Sequence, residues 1–129
     1  MPSIDTNILL RMILGDVYEQ RQMILRLTEK HDVLSVSDLA ISEMVHVLEK
    51  SQKVSRKLIN ELVSSLIANQ HLNINRPLFE RVIPLYEKHN GASFNDCCLA
   101  VYAKLDGTTP VYTFDKKMAR DLPYVELLK

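Results

Sequence analysis

Apolar residues along the chain recur in two rhythms. Five brief, partly β-branched runs, 3–5, 33–36, 72–74, 110–113 and 124–127, predict strands. Between them, apolar positions repeat at helical spacing over 6–14, 17–30, 38–50, 55–70, 77–89, 95–106 and 115–121. Punctuation agrees with this division. Ser55 and Ser93 suit helix starts, Pro77 suits a first helical position, and Gly91 and Gly107 follow helix ends. Strands that alternate with helices predict an α/β fold, a three-layer α/β/α sandwich around a mostly parallel sheet of about five strands. If the fourth strand lies beside the first, as in the usual doubly wound orders, the strand ends carrying Asp5 and Asp115 become neighbours.

Composition narrows the picture. A length of 129 residues with 47% hydrophobic content fits one domain over 1–129 whose core needs neither disulfides nor structural metal. Sixteen basic residues balance sixteen acidic ones, so bulk charge would not hold the chain on nucleic acid or anionic lipid, and such a partner needs a local patch. The two cysteines, Cys97 and Cys98, are adjacent within a helical run, which fits a reduced, cytoplasmic protein with both packed as small apolar groups. No basic segment precedes an apolar stretch at the N-terminus and no run of about 18 apolar residues occurs, so neither a signal peptide nor a membrane span is expected. Three glycines supply neither a GxGxxG nor a GxxxxGK[ST] loop, which excludes nucleotide cofactors held that way. The methionines read as core filler; His31, His71 and His89 show no ligand spacing, and His46, one turn from Glu43 and within reach of a substrate there, reads as a structural or incidental histidine.

Four acids stand in places that matter. Asp5 ends the first strand and opens the first helix, where an open parallel sheet gathers its chemistry; an aspartate there also makes a good N-cap. Glu43 shares its helical stripe with Leu39, Ala40, His46 and Val47, which points it inward or into a cleft, whereas Glu49 belongs to a wetter side. Asp96 fits a capping arrangement with Ser93, yet heads a helix that is apolar nearly all round. Asp115 directly follows the fourth strand and can cap the next helix. Carboxylates converging in a cleft would repel unless divalent cations neutralised them, and all-oxygen ligation suits Mg²⁺ or Mn²⁺ rather than zinc.

At these residues the sequence resembles the PIN-domain ribonucleases, and within them the VapC-like toxins of toxin-antitoxin pairs. The matching pieces are Ile4-Asp5-Thr6-Asn7-Ile8-Leu9-Leu10, Ile41-Ser42-Glu43-Met44-Val45 with Val47-Leu48-Glu49, Phe94-Asn95-Asp96 with Leu99-Ala100 and Ala103, and Thr113-Phe114-Asp115-Lys116. Each is short; four in register span nearly the whole chain. The resemblance implies a PIN-like fold and an acidic quartet at Asp5, Glu43, Asp96 and Asp115, with Asn7 and Thr113 as its polar neighbours. Ser93 stands where many relatives have an acid, and Asn95 and Cys97 where many have small residues.

The activity implied is Mg²⁺- or Mn²⁺-dependent endoribonuclease cleavage, with a cognate antitoxin covering the acidic groove and a homodimer built on helices of the first half. With the quartet neutralised, sixteen cations face twelve remaining acids, so a rim attracting phosphate becomes available. Lys116, Lys117 and Arg120 are the first candidates for touching RNA, followed by Arg11 and Lys104. Competing readings are a catalytically silent PIN module that binds RNA or protein, and an RNA-processing nuclease that is no toxin. A haloacid-type phosphatase is disfavoured, because Asp5-Thr6-Asn7 lacks the second acid of Asp-x-Asp.

Overall fold

A computed structural model describes residues 1–129. It divides into two compact units, 1–75 and 76–129, taken in turn. The first runs β1 (Ser3–Ile4), α1 (Thr6–Leu14), α2 (Tyr18–Lys30), β2 (Leu34–Val36), α3 (Asp38–Lys50), α4 (Arg56–Ala68) and β3 (Leu72–Asn73). Its three strands pair in parallel in the order β1-β2-β3, with Ile4 beside Val36 and Leu34 beside Leu72. Parallel neighbours need crossovers, which α1 with α2, and α3 with α4, provide. Leu9 of α1 and Ile59 of α4 are fully buried, as is Leu34 at the centre of the sheet.

Helix α3 carries the consequence that matters for function. Its buried residues Ile41, Met44, Val45 and Leu48 follow the i, i+3, i+4, i+7 spacing of a core-facing stripe. Ser37 caps the helix by accepting from the Ala40 N–H at 3.1 Å. With that stripe inside, Leu39, Glu43 and His46 lie outside. Helix α2 behaves differently: none of its residues is buried, and Tyr18, Met23 and Leu25 are exposed. Met44 and Met118 do fill cores, but Met1 and Met23 do not.

The second unit runs α5 (Arg76–Lys88), α6 (Phe94–Asp106), β4 (Val111–Thr113), α7 (Lys116–Asp121) and β5 (Val125–Leu127), with β4 and β5 parallel. An aromatic cluster joins α5 to α6: Phe79 stacks on Phe94 at 6.1 Å, and Tyr86 meets the same ring edge-on at 5.3 Å. Ser93 caps α6 by accepting from the Asp96 N–H, and Gly107 ends it in the left-handed region at φ 70°.

The α/β class and the parallel pairing hold, with seven helices where the periodicity places them, but the five strands form a three-stranded and a two-stranded sheet rather than one of five. At two or three residues each, these strands carry only two or three ladder positions per pairing, and β4 pairs with β5. Helix α6 is also less uniformly buried than its composition predicts. Cys97, Ala100 and Val101 face the core, whereas Leu99 and Leu105 are exposed and Cys98 is half-buried.

Candidate active site

The first cleft forms where β1 ends. Extended backbone at Asp5 (φ −90°, ψ 178°) turns into α1, and Asp5 Oδ1 accepts from the Ile8 N–H at 3.0 Å, so the residue is the N-cap of α1. Capping fixes where the carboxylate points and occupies only one of its oxygens. Thr6, the next residue, donates from Oγ1 to Glu43 Oε2 at 2.7 Å, a bond between residues 37 apart in sequence. The result is a cleft of about 370 Å³ lined by Ser3, Ile4, Asp5, Thr6, Ser37, Leu39, Ala40 and Glu43.

Glu43 is therefore in a cleft, but not on an inward-facing stripe. It is exposed, its neighbour Leu39 is 78% exposed, and Glu49 is more buried than Glu43. The reason is competition between two apolar stripes on α3, won by the one containing Ile41 and Met44. Exposure removes the desolvation that would penalise a charged Glu43, while the Thr6 hydroxyl holds one of its oxygens. No local pattern in the sequence marks Thr6 for this role, because only the tertiary fold links positions 6 and 43.

Asp96 and Asp115 belong to the second unit. Asp96 is half-buried in the first turn of α6, its backbone N–H engaged by Ser93. Asp115 caps α7, with Oδ1 accepting from the N–H groups of both Lys117 and Met118 at 3.0 Å. Its own backbone N–H donates to Thr113 Oγ1 at 3.0 Å, so Thr113 steadies the backbone entering the cap. Asn7 lines a different depression, a groove of about 590 Å³ with Ile8, Arg11, Gln20, Met23, Ile24 and Leu27. No three His, Cys, Asp or Glu side chains are clustered to hold a metal ion by themselves.

The cations separate into two kinds. Arg11 grips Asp16 through two bonds of 2.7 and 3.0 Å, and that contact holds the Asp16 carboxyl below its ordinary range. Arg120 grips Asp121 at 2.8 and 3.2 Å, which lowers the Asp121 carboxyl and raises the guanidinium. Both arginines are thus partly neutralised where they stand. Lys116 and Lys117 are exposed and form no ion pair. The Lys117 stem lies over Gly91, where an added Cβ would collide with it. Lys104 sits 5.5 Å from the centre of the Tyr124 ring.

In the chemistry of its donors, the Asp5–Glu43 cleft suits a hard dication. Its charged lining groups are two carboxylates, each with one oxygen tied to the protein, and no sulfur or imidazole lines it. Comparison with known proteins adds two findings. The sequence pattern of the PIN domain matches residues 3–121. A curated protein named VapC ribonuclease, from Aquifex aeolicus (strain VF5), is 31% identical over 124 residues, covering 93% of this chain and 91% of that one.

Proposed function

Starting from a chain that belongs to the VapC-like branch of the PIN domain family, we propose a Mg²⁺- or Mn²⁺-dependent endoribonuclease that acts as a toxin and is neutralised by a cognate antitoxin. The observation that carries this reading is the cleft where Asp5 and Glu43 meet, each carboxylate oriented through one oxygen. Asp5, Glu43, Asp96 and Asp115 are the proposed ligands, assigned by their places in the family motifs, within a single domain over 1–129. When bound, such an ion supplies Lewis acidity at the scissile phosphate and lowers the pKa of the attacking water.

The residues' own contribution is positioning. The α1 N-terminus fixes Asp5, Thr6 fixes Glu43, and Thr113 with the first turn of α7 fixes Asp115. Each carboxylate is thereby oriented before any substrate arrives, and less ordering remains to be done on binding. Lys116 and Lys117 are the phosphate contacts we favour. Arg11 and Arg120 are poorer candidates, because contacting RNA would first break an ion pair.

The partners follow from the same reading. Exposed Tyr18, Met23 and Leu25 on α2, beside the groove lined by Ile8, Ile24 and Leu27, give apolar surface for an antitoxin segment or a second copy in a homodimer. A cytoplasmic location belongs to the same reading, and no helix is long and apolar enough to cross a membrane. The test is cleavage of labelled RNA by the purified chain with Mn²⁺. Chelation should abolish it, and each of Asp5→Asn, Glu43→Gln and Asp96→Asn should cut it by about a hundredfold or more. Cleavage that survives all three substitutions refutes the assignment, and a wild-type chain that binds RNA without cutting it returns the silent-module reading.

A further inference from the structure

Side-chain exposure alternates through the segment that leads into Asp115. Val111 and Thr113 are half-buried, whereas Tyr112 is 62% and Phe114 78% exposed. Tyr112 lies in β4 and Phe114 at the bend directly after it, so the two exposed rings stand two residues apart, roughly 7 Å along the backbone. Phe114 immediately precedes the N-cap of α7, a position from which an apolar side chain commonly packs back onto the fourth helical residue, here Ala119. Its exposure shows that it does not.

The backbone beneath the rings is held on both sides. The Thr113 carbonyl accepts from Leu128 at 2.8 Å, the Asp115 N–H donates to Thr113 Oγ1, and Asp115 Oδ1 takes two amides of α7. Phe114 is therefore presented by a fixed turn. Beyond the capping Asp115 come Lys116 and Lys117, exposed cations without ion-pair partners. Exposed aromatic rings beside unpaired cations are the elements of a single-strand nucleic-acid track, in which bases stack on rings while phosphates meet ammonium groups.

We infer that Phe114, with Tyr112 as a second step, is a base-stacking platform for single-stranded RNA, and that Lys116 and Lys117 take the adjoining phosphates. This rests on the ribonuclease reading for the identity of the substrate, but concerns binding rather than bond cleavage. Glu126 pairs with Tyr112 across the β4–β5 ladder, so the phosphates run on the Phe114 side, toward the lysines. Phe114 and Tyr112 are positioning residues, and neither is needed to hold a metal.

The experiment measures affinity for a short oligouridylate, and for a matched ribose-phosphate oligomer lacking bases, in EDTA so that no cleavage occurs. Phe114→Ala should weaken oligouridylate binding about 5- to 100-fold, leave binding of the baseless oligomer unchanged and leave the melting temperature unchanged. Phe114→Trp should retain the affinity. Lys116→Ala with Lys117→Ala should weaken both oligomers alike and flatten the salt dependence. Wild-type affinity in the Phe114→Ala, Tyr112→Ala double variant overturns the platform. If that variant instead loses self-association in light scattering, the rings meet protein, and the inference is equally overturned. RNA bound with these signatures but never cut with Mn²⁺ would support the platform while refuting the nuclease reading.

Discussion

Two aspartates in this molecule occupy the same kind of position and are built into it differently. Asp5 and Asp115 each follow a strand and cap the next helix. The Asp115 turn is local: Thr113, Asp115, Lys117 and Met118 satisfy one another within six residues. The Asp5 corner is assembled from distant sequence, because Thr6 reaches Glu43 on α3. A cap orients one carboxylate cheaply, but bringing two carboxylates into one cleft requires the tertiary fold. We therefore expect the Asp5 corner to carry the chemistry and the Asp115 turn to assist it.

Removing charge while keeping the cap separates these roles most sharply. Asparagine accepts the same backbone bonds, so Asp5→Asn should fold normally and lose on the order of a hundred- to a thousandfold in RNA cleavage rate. Glu43→Gln, which can still accept from Thr6, should match it. Asp115→Asn should lose less, about 10- to 100-fold, as expected of a carboxylate that assists the Asp5–Glu43 cleft rather than lining it. Equal losses at both aspartates, measured under single-turnover conditions, would break the distinction.

Thr6→Val tests the tertiary link next. It deletes the hydroxyl that holds Glu43 and should slow cleavage about tenfold and weaken Mn²⁺ binding, with Thr6→Ser recovering both. If Thr6→Val leaves Mn²⁺ affinity unchanged, Glu43 is held by something else. Asp115→Ala should cost about 1 kcal/mol in denaturant unfolding, because two α7 amides lose their acceptor.

The smallest effect concerns acid. Hydrogen bonds from Arg11 and Arg120 lower the Asp16 and Asp121 carboxyls, so both contribute stability above the ordinary carboxylate range. That contribution should fade as pH falls through their lowered values, and because both pairs lie at the surface, high salt should shrink it further. Melting curves of wild type and Arg11→Ala between neutral pH and pH 3 should converge at the acid end.

Much of this was legible in the sequence, for local reasons. Helix limits were readable to within two residues because Ser55, Ser93 and Gly107 act through bonds one turn away. The fold class followed from alternating periodicities, and the acids from short motifs in register. The side of α3 that carries Glu43 was not legible. Leu39 and Val47 form an apolar stripe as plausible as Ile41–Met44–Val45–Leu48, and only packing decides between them. Nor was the division into two sheets, since strands of two or three residues leave no pattern of pairing. Ion pairing of Arg11 and Arg120 depends on rotamers that composition does not record.

The most direct measurement is anomalous diffraction at the manganese edge from crystals of the chain soaked in Mn²⁺, alongside crystals of the Asp5→Asn, Glu43→Gln double variant. The account predicts a peak within about 2.0 to 2.5 Å of carboxylate oxygens of both Asp5 and Glu43, absent from the double variant. A wild-type crystal with no manganese at those carboxylates, or a peak that persists unchanged without them, would contradict it.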